Sequence, residues 1–349
     1  MQDKRINLAL QGGGAHGAFA WGVLDRLLDE KWLHIEGVSG TSAGALNAAA
    51  LKAGLAVGRG ARGRKAAREN LDAVWSEVGQ FSENRMVRWI ASLFPMPHGF
   101  QRLAEMFSPV AWMEGVARVF TPYDSGPFYT NPLRQTIAAM PHPDFCASGG
   151  PQLFISATNV RTGRVRVFTG GEVSIKAVLA SACLPTLFRA VEIDDPQTGQ
   201  REAYWDGGYS SNPALFPLFD QALPRDIVIV NINPWLRDEV PKTPVAIQNR
   251  INEISFNASL QRELRAIAFV KRLFDEQRLE AGSMKNVLVH MIYDDHLMTD
   301  LSARTKVMPG PGLLARMKAA GQDAAESWLT ANADALNQRD SVDLRSLFG

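Results

Sequence analysis

Ser42 stands between two glycines in Gly40-Thr41-Ser42-Ala43-Gly44, directly after an apolar run and before an alanine-rich one. A serine on a sharp strand-to-helix turn takes up a strained backbone, and the flanking glycines, Gly40 and Gly44, remove side chains that would collide there. The helix that follows sets unpaired amides and the positive end of its dipole under the hydroxyl. A nucleophile for attack on a carbonyl is presented in this way. Two other segments can serve it. Gly12-Gly13-Gly14-Ala15-His16-Gly17 is a turn that exposes backbone N–H groups, either to a phosphate or to the oxyanion of a tetrahedral intermediate. Asp206-Gly207-Gly208 offers a carboxylate to take the serine proton, with Gly207 and Gly208 letting backbone and substrate approach.

Other chemistries compete for the same residues. Gly12, Gly14 and Gly17 satisfy the GxGxxG spacing of a dinucleotide site, and Glu30 and Glu36 follow at a suitable distance. A dinucleotide site, however, gives no reason for a second glycine-flanked turn holding a serine after the very next strand. An oxyanion loop explains both turns. The chain order Ser42, Asp206, His296 is also that of an α/β-hydrolase triad, but such an elbow normally follows several strands, and Ser42 follows only two. A third alternative is a catalytically silent lipid-binding protein. No cluster of metal-ligating residues is visible, so neither metal nor cofactor is expected.

Strands must carry these turns. The pattern predicts strands at Ile6–Gln11, His34–Ser39, Leu153–Asn159, Val165–Thr169, Ile227–Asn233 and Val287–Tyr293. Helices are predicted at about Ala15–Lys31, Ala45–Ala53, Ser174–Ala182 and Leu313–Leu336. Strand, helix, strand, helix with short links implies parallel strands, whose carboxyl-terminal turns lie side by side. The expected fold is therefore α/β, a three-layer sandwich with a mainly parallel central sheet and helices on both faces.

The chain has 349 residues, 37 Lys plus Arg and 36 Asp plus Glu, a balance that gives no electrostatic reason for a nucleic-acid partner. Cys146 and Cys183 cannot build a disulfide framework; they read as small buried apolar residues in a reducing cytoplasm. No long uninterrupted apolar run is present, so any membrane contact is expected to be peripheral.

Taken together, the GGGAHG loop, the GTSAG elbow, Ala180-Ser181-Ala182-Cys183-Leu184-Pro185 and the DGG turn resemble the patatin-like phospholipase family, over about Asn7 to Asn212, with further similarity towards Val287. The resemblance implies a lipid acyl hydrolase in which Ser42 is the nucleophile and Asp206 its base, a dyad without catalytic histidine. It also implies an oxyanion hole from the amides of the Gly12, Gly13 and Gly14 loop, and a lipid or ester substrate. Family members often carry arginine where this chain has His16.

The Ala180–Pro185 segment, with Leu187 and Phe188, is expected to shape the acyl pocket. A helical cap insertion is expected at about 59–130, inside a domain of 5–310 that is followed by a helical extension at 311–349. The cap's Met86, Trp89, Phe94, Phe100, Phe107, Trp112 and Phe120 suit an adaptable apolar groove, and Arg59, Arg62, Arg64, Lys65 and Arg68 before it read as a solvated loop.

Overall fold

The computed structural model describes residues 2–80, 121–124, 129–280, 282–301, 305–306 and 310–348. Eight strands form one sheet: β1 (Lys4–Leu10), β2 (Leu33–Thr41), β3 (Gln152–Asn159), β4 (Val165–Thr169), β5 (Val191–Asp195), β6 (Gln200–Asp206), β7 (Asp226–Val230) and β8 (Leu288–Ile292). Its order is β5-β6-β3-β2-β1-β7-β8, with β4 also paired to β3. The run β3-β2-β1-β7-β8 is parallel throughout, and the pairings of β3 with β4, β3 with β6 and β5 with β6 are antiparallel.

Alternation along the buried strands divides the apolar residues between two faces. Ile6, Leu8, Leu10, Val228 and Val230 enter the core with α1 (Ala18–Leu27), α2 (Ala43–Ala56), α3 (Ala61–Gly79), α5 (Ile175–Ser181) and α8 (Pro311–Asn332); α4 (Leu133–Ala138) also contributes to it. Ala9, Ile227, Ile229 and Val289 enter the other, with Leu260, Leu264 and Ile267 of α6 (Pro244–Asp275). The result is the expected α/β/α layering. Two short helices complete the described set, α7 (Asp295–Asp300) and α9 (Leu344–Phe348).

Most expected boundaries fall within a few residues of those observed. The β5–β6 hairpin and the helices α4, α6 and α7 are additions. The Arg59–Arg68 stretch is not a solvated loop: from Ala61 it is α3, and two of its cations, Arg64 and Arg68, hold the end of α1. Arg64 donates to the carbonyls of Leu28, Lys31 and Leu33 at 3.1, 3.1 and 3.3 Å, and Arg68 Nε binds Asp25 at 2.9 Å. Cations satisfy the orphan carbonyls that a helix C-terminus leaves. Cys183 is buried as expected, whereas Cys146 is exposed. Residues 81–120, which hold the aromatic and methionine side chains of the expected cap, lie outside the described residues.

One feature of the sheet positions the site. Ser156 of β3 pairs with Thr41 on one edge and Val167 on the other; the next residue, Ala157, pairs with Asp206 and Arg166. β2 and β6 therefore occupy the same edge of β3 and meet end to end. Their last residues are Thr41, one before Ser42, and Asp206.

Candidate active site

Ser42 caps α2 with φ 56° and ψ −122°, a left-handed backbone that a residue with a Cβ adopts only under constraint. The constraint is visible. Its N–H donates to Ser181 Oγ at 2.9 Å, and its carbonyl accepts from Ala45 and Leu46 in the first turn of α2. Gly44 crosses β1 so closely that a Cβ there would overlap the Leu10 carbonyl, and one on Gly40 would lie 2.5 Å from the Gly44 carbonyl. The elbow thus needs glycine at both places for contact reasons.

The Ser42 hydroxyl donates to Asp206 Oδ2 at 2.7 Å. Asp206 Oδ1 accepts the Gly208 N–H at 2.8 Å, and the Asp206 N–H binds the Cys183 carbonyl at 2.8 Å. The Ser181–Cys183 segment therefore ties down both partners. Asp206 is fully buried, and burial pushes its carboxyl up to about 7; the Gly208 N–H and Ser42 hydroxyl pull the other way. Such a carboxylate is a far stronger base than one in water. Cys183, beside it, is pushed up to about 12 by burial and then by the Asp206 charge, which makes the thiol inert.

Gly12 packs against Ser42: a Cβ on it would lie 2.5 Å from Ser42 Cβ and 2.7 Å from the Thr41 carbonyl. Its N–H donates to Asn212 Oδ1 at 2.6 Å, and its carbonyl accepts from Asn233 Nδ2 at 2.7 Å. The Gly12 N–H, one of the expected oxyanion donors, is thus engaged by Asn212. Among the described residues, the amides of Gly13 and Gly14 donate no hydrogen bond. The occupied Gly12 peptide also speaks against a dinucleotide phosphate on this turn. Gly12→Ala is expected to lower kcat roughly a hundredfold, because an ångström of displacement at the nucleophile is worth about that much; ester turnover beside thermal melting separates this from unfolding.

No histidine among the described residues bonds to Ser42 or Asp206. His296 is exposed near the start of α7, and His290 is buried against Asp226 and Ser341. His16 is buried with Nε2 2.8 Å from Thr305 Oγ1, and burial, then Lys306, hold it down to about 3. It is neutral at working pH, so the place of the family arginine carries no charge.

Ser42 and Gly14 line one cavity of about 130 Å³, whose wall is otherwise mostly apolar and includes Leu46, Trp75, Leu133, Leu187 and Phe188. Of the expected acyl-pocket segment, Ala182 and Leu184 reach it. Sequence reasoning missed Asn212, Asn233 and Gln11. For Gln11 and Asn233 a signal existed, amide residues shortly after the buried apolar strands β1 and β7, where parallel strands present their carboxyl ends; Asn212 follows neither strand and had none.

The site thus sets a strained serine against a buried carboxylate beside an apolar cavity, at the carboxyl end of parallel strands of an α/β protein. The family model for patatin-like phospholipase matches residues 8–219, more than half of the chain. The protein belongs to the patatin-like phospholipase family, one of lipid acyl hydrolases. Among solved structures, the crystal structure of VipD from Legionella pneumophila is similar over 94% of this chain and 67% of that one, at 18% identity and a TM-score of 0.42. At that distance the likeness says nothing of this chain's chemistry. No curated protein matches the sequence.

Proposed function

We propose that the protein cleaves carboxylic esters of lipids through an acyl-enzyme on Ser42, with Asp206 as the base. The observation that carries this is the 2.7 Å bond from the Ser42 hydroxyl to the buried Asp206 carboxylate. Asp206 takes the proton as Ser42 Oγ attacks the ester carbonyl, and the oxyanion accepts hydrogen bonds from the Gly13 and Gly14 amides. Collapse breaks the bond to the alcohol, which leaves with the proton that Asp206 returns. Water then attacks the acyl-enzyme and gives a proton to Asp206, which returns it to Ser42 Oγ as the Oγ–acyl bond breaks and the carboxylic acid departs. Family membership supports lipid acyl hydrolysis in general; the assignment of these residues to their roles is our reading.

The test is a panel of p-nitrophenyl esters and phospholipid vesicles, run beside labelling with a fluorophosphonate probe. Ester turnover and a probe adduct on Ser42 are expected. Absence of both defeats the proposal. The cavity sets a second expectation: Leu46→Trp fills space beside Ser42, so kcat/KM for long acyl esters is expected to fall about tenfold relative to acetyl esters, the order that apolar pockets discriminate. An equal change across the series would remove the cavity from acyl binding. Among the described residues no helix is long and apolar enough to cross a membrane, and in this reading contact with lipid is peripheral.

A further inference from the structure

Gly12 presents both polar atoms of its backbone to side-chain amides. Besides the bonds from its N–H to Asn212 Oδ1 and to its carbonyl from Asn233 Nδ2, the carbonyl accepts from Asn212 Nδ2 at 3.2 Å. The orientation of Asn212 follows from the contact, because an N–H must meet the oxygen. The Gly12 carbonyl and the Gly13 N–H belong to one planar trans peptide, in which they point in opposite directions. Whatever holds the carbonyl therefore aims the N–H. Two donors on one carbonyl also draw electron density to its oxygen, which strengthens the N–H at the far end of the unit as a donor.

We propose that Asn212 and Asn233 are positioning residues that aim and polarise the Gly13 N–H for the oxyanion formed at Ser42. The inference rests on the ester-hydrolase reading above.

The clamp is braced from three sides. Gln11 Oε1, at the end of β1, accepts from the Ile232 and Asn233 N–H groups and from Asn233 Nδ2, at 2.9, 3.1 and 3.2 Å. Asn257 of α6 accepts from Gln11 Nε2 at 3.2 Å and donates to the Asn233 carbonyl at 3.3 Å. The Asn212 N–H donates to Ser259 Oγ at 3.0 Å. All four amide side chains belong to buried residues, so the bonds form in a low dielectric, where they hold direction well. Asn212 also lies on the segment that begins with Asp206, and the Ser211 carbonyl on that segment accepts from Thr41 Oγ1 at 3.0 Å. One short segment thus carries the base at its start and the loop clamp at its end, which sets the spacing between the two.

Asn212→Ala and Asn233→Ala in the full chain test this, assayed with p-nitrophenyl butyrate. Inhibition is measured with a trifluoromethyl ketone of the same acyl length, whose serine adduct bears an oxyanion, and with the matching secondary alcohol, which forms none. In each variant kcat is expected to fall about tenfold to a hundredfold, somewhat less than for removal of a whole donor. KM should stay within about threefold, and the pH midpoint should not move. The ketone's inhibition constant should rise by the factor that kcat/KM loses, while the alcohol's stays constant. A residue that only fills the core would move ketone and alcohol together. Unchanged kcat in both variants, or a lower kcat with unchanged ketone binding, overturns the clamp. Should Asn212→Ala fail to fold, Asn233→Ala decides alone, since it leaves the Gly12 N–H bond in place. A wild type without turnover or adduct defeats the hydrolase reading itself; an active wild type with unchanged variants defeats only this inference.

Discussion

Asp206→Asn is expected to lose about a thousandfold or more in kcat and yet to melt higher than the wild type at pH 8. The loss follows from the proposed role: an amide keeps the geometry but cannot take the Ser42 proton, and the analogous change in a serine triad costs about ten thousandfold. The gain follows from burial. Asp206 sits at about 7 in the folded protein against an ordinary carboxylate value near 4 in the unfolded chain. Between those two values the folded state binds more protons than the unfolded one, so stability falls as pH rises through the window. Above about 7 the folded protein carries the full penalty of a buried charge, on the order of a few kcal/mol. Asparagine carries none. It can still accept the Gly208 N–H through its oxygen and donate to Ser42 through its nitrogen, so the two bonds of Asp206 have replacements. Thermal melts at pH 5 and pH 8 should show the variant's advantage only at the higher value. The wild-type rate carries the same signature, rising with pH to a plateau with its midpoint near 7 as Asp206 ionises. A flat profile from pH 5 to 9 would remove Asp206 as the base.

The second large effect is at Ser42. Ser42→Ala is expected to abolish probe labelling and to lower kcat on the order of a millionfold, the scale seen when a nucleophilic serine is removed. The only bond its side chain makes among the described residues is to Asp206, so the fold should survive. The backbone adds a further expectation. Alanine at φ 56° carries the same strain as serine, while Ser42→Gly relieves it, so the glycine variant should melt higher than the alanine variant. Intact-mass spectrometry of probe-treated protein reads the first outcome, and paired melts read the second. Probe incorporation into Ser42→Ala at the wild-type rate would place the nucleophile elsewhere.

Much of this site was legible one turn at a time. β1, β2 and α2 could be read because a run of apolar residues, a glycine cluster and an alanine-rich segment each fall within about fifteen consecutive positions. The β5–β6 hairpin was missed because its strands, VEIDD and QREAYWD, mix charge with apolar residues. Asp195 of that hairpin is buried with its charge met by Arg166, whose guanidinium binds it at 2.8 and 2.9 Å from β4, beside donors from Tyr204 and Gln197. The long α6 was missed for another reason. Its buried residues Phe256, Leu260, Leu264 and Ile267 recur every three or four positions without forming a run, although Thr243 followed by Pro244 marks its start.

The sequence by itself determined the two glycine turns, their order on consecutive strands, and a carboxylate followed by two glycines. Each of these is local, decided by backbone sterics within a few residues. Only the tertiary structure decided that β6 abuts β2 on one edge of β3, which sets Asp206 against Ser42 across 164 positions of chain. Tertiary packing also decided that Asp206 is buried, with its carboxyl pushed up to about 7, that the Gly12 N–H is already taken, and that His16 is neutral. The physical reason is common to all three. Burial and hydrogen-bond occupancy depend on which distant elements meet, and pairing across a sheet leaves no trace in the spacing of either partner.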